Sequence, residues 1–174
     1  GRRLFVELEL KGFGEFEGVE LLQKLHLFQK LTFDETTRLG SIIQYVDLPP
    51  ETVVIQENAL GDALYVIASG EVRVTRDINN DGEHTADEEI GRLKSGELFG
   101  EMSLIDDLLT SARVTTVTDC RLLKMPRDKF EALLGSDDKL AVKVFRSFCR
   151  TLSERVRRTT AMLAKHQALH VAVR

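Results

Sequence analysis

Between Gln44 and Pro126 the chain falls into short runs, QYVDLPP, TVVIQENALG, ALYVIASG, EVRVTRD, EEIGRL, ARVTTVTD and CRLLKMP, separated by Gly, Pro, Asn and Asp. Nothing else in the sequence constrains the fold as strongly. Short strands at this spacing predict an antiparallel β-roll or sandwich rather than a parallel α/β sheet. Gly61, Gly70 and Gly96 fall where the runs must turn, and tight antiparallel turns favour a residue without a Cβ.

Helical patterns flank this β-region. Phe5 to Leu10 alternates and GFGEFEG breaks the alternation, giving an N-terminal arm over residues 1–18. GVELLQKLHLF then carries apolar residues at close to helical spacing, and TFDETTRLGSII reads as a second short helix with Thr32 or Asp34 as its N-cap. After Pro126, PRDKFEALLG predicts a short helix stopped by Gly135, with Ser136 capping the next. From Asp137 to Leu169 there is neither Gly nor Pro. A helix of that length is about 45–50 Å long at ~1.5 Å per residue. Val142, Phe145, Phe148, Leu152, Val156 and Leu163 lie mostly three or four apart on it, and Lys143, Arg146, Arg150, Arg155, Arg157 and Arg158 form a basic face. The expected organisation is therefore an arm over 1–18, a β-roll with N-terminal helices over 19–135, and a long C-terminal helix with its tail over 136–174. In class this is mainly β with flanking helices (α+β).

With 24 basic and 28 acidic residues the net charge is −4, so no global field attracts nucleic acid or an anionic membrane. No apolar run has the length of a membrane span and no signal-peptide pattern opens the sequence. Cys120 and Cys149 lie far apart in apolar-patterned segments and read as two buried free thiols of a reducing, cytoplasmic setting.

The stretch FGEMSLIDDLLTSARVTT, Phe99 to Thr116, sets one acid and one arginine, Glu101 and Arg113, among apolar and small residues. Gly100 lets the backbone approach a ligand closely, and the amides of Glu101, Met102 and Ser103 open a helical turn whose N-terminal end suits an anion. Arg113 adds a planar two-pronged donor fitted to phosphate. A carboxylate beside phosphate would be repulsive, so Glu101 must face another part of the ligand, and a ribose hydroxyl fits. Phosphate with ribose means a nucleotide, and the absence of GxxxxGK[ST] argues against a triphosphate.

FGEMSLI followed by ARVTTVT resembles the phosphate-binding cassette of the cyclic-nucleotide-binding domain family. The resemblance extends to LLQKLHLFQKLTFDETTRLG as the helical lead-in, to ALGDALYVIASGEVRV as the central strands, and to the long C-terminal helix as a lid or dimer helix. It implies that Glu101 accepts from the ribose 2′-hydroxyl and that Arg113 pairs with the cyclic phosphate. Gly100 and the amides near Met102, Ser103, Val114 and Thr115 complete the cradle, and Phe145, Phe148 and Leu152 cover the base. Val114 offers no hydroxyl to a guanine amino group, which favours cAMP over cGMP. The implied protein is a non-catalytic sensor, possessing no cofactor, that passes ligand binding to an unknown effector through its last helix and pairs as a homodimer along it. Against the family pattern, the Glu101–Arg113 segment is long, lacks a proline before the arginine, and carries Asp106 and Asp107.

Two other classes stay open: an interaction or dimerisation module that keeps the fold without the ligand, and the regulatory fragment of a larger enzyme. No Ser/His/Asp, Cys/His or paired-carboxylate arrangement makes these residues an enzyme by themselves. DINNDGEHTADE follows a calcium-loop spacing, with Asp77, Asn79, Asp81, Glu83 and Glu88 as candidate ligands around Gly82. Strands rather than helices flank it, so it reads as an acidic hairpin tip without metal. GFGEFEG has its third glycine one place late for a dinucleotide fingerprint, and His166 and His170 have no third ligand in view. Only a short tail follows Leu169, so no nucleic-acid contact and no membrane contact is expected of the chain.

Overall fold

The computed structural model describes residues 22–23, 28–77, 87–106 and 108–172, with side chains through residue 164. The arm over 1–18, the GFGEFEG stretch, most of the first lead-in helix, Asn79, Asp81 and Glu83 of the calcium-like loop, Asp107, and the side chains of His166 and His170 lie outside the described residues. Among the described residues eight strands form in order, β1 (Gln44–Leu48), β2 (Val53–Ile55), β3 (Ala63–Ser69), β4 (Glu71–Asp77), β5 (Asp87–Lys94), β6 (Leu98–Phe99), β7 (Arg113–Thr116) and β8 (Cys120–Pro126). They make two four-stranded antiparallel sheets, β1-β8-β3-β6 and β2-β7-β4-β5. The expected β-roll is present. The runs at Gln44–Pro126 supply all of these strands except the two-residue β6, which pairs with β3 through Tyr65↔Phe99 and Val66↔Leu98.

Helices close the roll: α1 (Phe33–Gly40), the single turn α2 (Met102–Ile105), α3 (Arg127–Gly135) and the 35-residue α4 (Asp138–Ala172). Thr32 caps α1 in a full capping box. Its hydroxyl accepts from the Glu35 amide, and the Glu35 carboxylate accepts from the Thr32 amide at 2.7 Å. At the start of α4 the cap is Asp137 rather than Ser136, because the Asp137 carboxylate accepts from the Leu140 amide at 3.0 Å. The Ser136 hydroxyl instead donates back to the Leu133 carbonyl, closing α3.

The β1-β8-β3-β6 sheet is the middle layer, which is why ALYVI in β3 is buried at every position instead of alternating. Tyr65, Ile67, Phe99, Cys120 and Leu122 face the second sheet together with Val72 and Val114. Leu64, Val66, Leu123 and Met125 face the helices, where Leu39, Phe130, Leu134, Leu140, Val144 and Phe148 complete the larger core. Of the two thiols expected to be buried, Cys120 is and Cys149 is exposed on α4. The Cys149 segment is apolar because it serves two different faces of one helix.

Candidate functional site

Phe99 stacks on Tyr65 with ring centroids 5.1 Å apart and so pins the end of β6 to the middle sheet. The next residue, Gly100, takes φ +86°, and a Cβ there would meet the Ala63 carbonyl oxygen at 2.6 Å. Only glycine lets the chain turn this close to β3. The turn delivers Glu101 in helical conformation directly before α2, whose first amides find no partner inside so short a helix. Gly61 approaches from the β2–β3 connection: its missing Cβ would sit 1.8 Å from the Ser103 hydroxyl oxygen, and that hydroxyl donates to the Gly100 carbonyl at 3.2 Å. Gly100, Glu101, Met102 and Ser103 therefore form one loop, with Ser103 buried and Met102 exposed.

Glu101 is 1% exposed, yet it is charged in type and its partner comes from far along the chain. The Arg155 guanidinium, from the middle of α4, donates to Glu101 Oε1 at 2.5 Å and also to the Leu98 carbonyl. One helical turn on, Arg158 pairs with Glu97 at 3.3 Å. Burial pushes the Glu101 carboxyl above its usual range, and the Arg155 charge pulls back against that without cancelling it. A buried carboxylate whose counter-ion falls short of its desolvation cost gains from a further hydrogen-bond donor.

The structure does not bring Arg113 to this loop. Alternation along β7 turns Val114 into the core between the sheets, so Arg113 and Thr115 point to the outer face. There the Arg113 guanidinium pairs with Asp87 and its Nε donates to Gln56 at 3.1 Å. Arg113, Thr115, Arg73, Thr75, Glu51, Asp87 and Glu89 line one shallow polar depression. The expectation that Arg113 meets the phosphate is corrected on this ground: moving it to the inner face needs a one-residue slip of a strand paired on both sides. The backbone of Val114 and Thr115 is likewise engaged between β2 and β4 rather than opened toward a ligand. The Val114 argument for cAMP over cGMP loses its basis too, since that side chain is core.

The long segment ends on Thr110, which sequence reading passed over. Its buried hydroxyl donates to the Gln56 carbonyl and accepts from the Ala59 amide at 3.0 Å, while its backbone bonds Asn58 and Ala59. Asp106 turns inward on its own loop, accepting from the Leu108 amide at 3.1 Å. Leu108 and Leu109 between these anchors, and Ile105 just before them, stand exposed. Of the expected lid residues, Phe148 is fully buried and packs edge-on against Phe145 and in a stack on Phe130, so it belongs to the core. Phe145 and Leu152 are partly exposed on a different face of α4. Arg155 also went unnoticed. Its signal was present in the spacing, because a charge at 155 continues the buried series Leu140, Val144, Phe148. No group of metal-binding residues occurs among the described residues, and no described helix is long and apolar enough to cross a membrane.

The geometry is thus a two-sheet roll with a buried acid on a glycine turn, tied to a long terminal helix. Residues 45–137 match the family described as the cyclic nucleotide-binding domain, and the chain belongs to that family. It is 33% identical over 114 residues to a cAMP-dependent protein kinase regulatory subunit of Yarrowia lipolytica, covering 66% of this chain and 28% of that protein. It is 28% identical over 145 residues to a CRP-like cAMP-activated global transcriptional regulator of Mycobacterium tuberculosis, covering 83% of this chain and 61% of that one. Among solved structures, a cyclic nucleotide-binding domain from Methylobacillus flagellatus superposes with TM-score 0.74 at 29% identity, over 87% of this chain and 83% of that one. The chain thus spans under two thirds of either of those two curated relatives.

Proposed function

We propose that the chain binds a cyclic nucleotide, cAMP in preference, on the Gly100–Ser103 loop and serves as the regulatory module of a larger signalling system. The observation that carries this is Glu101: a fully buried carboxylate on a glycine turn, held in place by a guanidinium from α4, is suited to accept from a ribose hydroxyl. The family membership supplies the ligand class, and the names of the two relatives above favour cAMP. Gly100 and the amides of Met102 and Ser103 take the phosphate side of the ligand. Arg113, Val114 and Thr115 are left out of this site, as is Phe148. Transmission runs through α4, because Arg155 ties that helix to the loop that receives the ligand. Calorimetric titration with cAMP and cGMP tests the reading. The wild type binds cAMP with saturation, and Glu101→Ala weakens it at least tenfold; saturable binding of neither nucleotide overturns it.

The same helix supports a homodimer. Val142, Phe145, Cys149, Leu152 and Val156 repeat at intervals of three and four, Leu163 follows seven residues on, and Val142, Phe145, Val156 and Leu163 are exposed. This seam is turned away from the stripe of Leu140, Val144 and Phe148 that packs on the roll. A second copy of the chain matches a seam of this period.

A further inference from the structure

The loop that holds Glu101 lacks the cation that sequence reading assigned to it, and α4 supplies another. Arg113 is committed to Asp87 and Gln56 on the outer face. Arg155, by contrast, reaches into the loop with one arm on the Glu101 carboxylate and the other on the Leu98 carbonyl. Its side chain is only 26% exposed. In a 3′,5′-cyclic nucleotide the 2′-hydroxyl and the phosphate ester sit on neighbouring carbons of one ribose. A carboxylate that takes the hydroxyl therefore places the phosphate within one side-chain length of the guanidinium already paired with that carboxylate. We propose that Arg155 is the phosphate-binding residue of this chain, so that the cation of the site comes from α4 instead of from the roll.

Three features make Arg155 suited to the role. Guanidinium has five donors in a planar fork and can serve Glu101 and an anion together. Its second arm is spent on a neutral carbonyl, and an anionic oxygen is the stronger acceptor for the same arm. Finally, the Arg158–Glu97 pair one turn away holds α4 over the same stretch of the roll, so the guanidinium is positioned before any ligand arrives. The consequence is a direct coupling. A phosphate on Arg155 adds a contact made only when α4 is seated, and a ligand shifts a two-state equilibrium by its differential contacts.

This inference rests on the reading of Glu101 as the ribose acceptor, and the test separates the two. Wild type, Arg155→Ala, Arg155→Lys and Arg113→Ala are titrated with cAMP and with adenosine, which keeps the ribose hydroxyl and lacks the phosphate. The inference expects Arg155→Ala to lose tenfold or more in cAMP affinity while adenosine affinity changes less than threefold. Arg155→Lys is intermediate, and Arg113→Ala leaves both affinities unchanged. Circular dichroism and melting confirm that each variant is folded, and Arg155→Lys keeps the test decisive if the alanine variant is not. Unchanged or tighter cAMP binding in the folded Arg155 variants overturns the assignment while leaving Glu101 standing. Equal losses for cAMP and adenosine also overturn it, since they mark a structural brace alone. A wild type that binds neither ligand overturns the underlying reading as well.

Discussion

Gly100 is the residue on which the site turns. Its φ of +86° is unfavourable for any residue with a Cβ, and the Ala63 carbonyl stands where that Cβ would go. Gly100→Ala is expected to lose about 1–3 kcal/mol of stability, read as a lower thermal midpoint, because backbone rather than a rotatable side chain must yield. Ligand affinity should fall with it, since the strain is released by moving Glu101. At Gly61 the obstacle is the Ser103 side chain, which is also the loop's own internal brace. That Glu101 stands withdrawn from solvent at the head of a helical turn was legible, because it is a lone acid among small and apolar residues; its ion-pair partner Arg155 was not. Arg113 was misread for a concrete reason. Linear order places it twelve residues on, but the side of the sheet it occupies depends on where β7 begins, and a strand's parity is not fixed by its composition. Arg155 was hidden in the opposite way, as one of six basic residues read together as one basic face of the helix.

At the scale of elements, α4 does two jobs with two faces. One carries Leu140, Val144, Phe148 and Arg155 toward the roll, and the other carries the exposed apolar seam. The sequence predicted the helix and its length well, since no Gly or Pro interrupts it, but a single stripe was read where there are two. Cys149 lies on the second face and is exposed. In a parallel, in-register pair it meets its counterpart from the other copy, and a short bismaleimide should link the chains through it. Sedimentation of a dimer whose Cys149→Ser form shows no linkage supports the parallel seam. A monomer at all accessible concentrations removes the homodimer from the account. The β-region was the most legible element of all, because turn residues at regular intervals mark seven of the eight strands and their antiparallel class. The two-residue β6 escaped because it is too short to show alternation.

For the molecule as a whole, two buried glutamates contribute to folding stability with opposite dependence on pH, Glu35 tying α1 to α4 through Lys143 and Glu101 tying the roll to α4 through Arg155. Glu35 feels burial pushing its carboxyl up, but its hydrogen bonds from Lys143 at 2.7 Å and from Thr32 outweigh this and hold it below the ordinary value of 4.5. Its contribution is present above 4.5 and lost as pH falls through its lowered value. Glu101 is raised above 4.5, so its contribution is present below that value and lost as pH rises through the raised one. Denaturant melts at several pH values check both signs. The stability gap between wild type and Glu35→Gln should shrink on acidification below about pH 4.5, and wild type should lose ground to Glu101→Gln as pH climbs above it. A flat profile for either comparison contradicts that assignment. Ionised Glu101 makes the stronger contact with Arg155, and it is also the form on which a hydroxyl donor stabilises most. That links the residue, the helix and the proposed sensing in one arrangement, and it makes the ribose hydroxyl the contact to test. The most direct measurement is a side-by-side calorimetric titration of wild type and Glu101→Gln with cAMP and 2′-deoxy-cAMP near neutral pH. The account predicts that wild type favours cAMP over the deoxy analogue by about tenfold, the worth of a charge-assisted hydrogen bond, and that Glu101→Gln loses most of that preference. Equal affinity of the wild type for both ligands, or the full preference retained in Glu101→Gln, would contradict it.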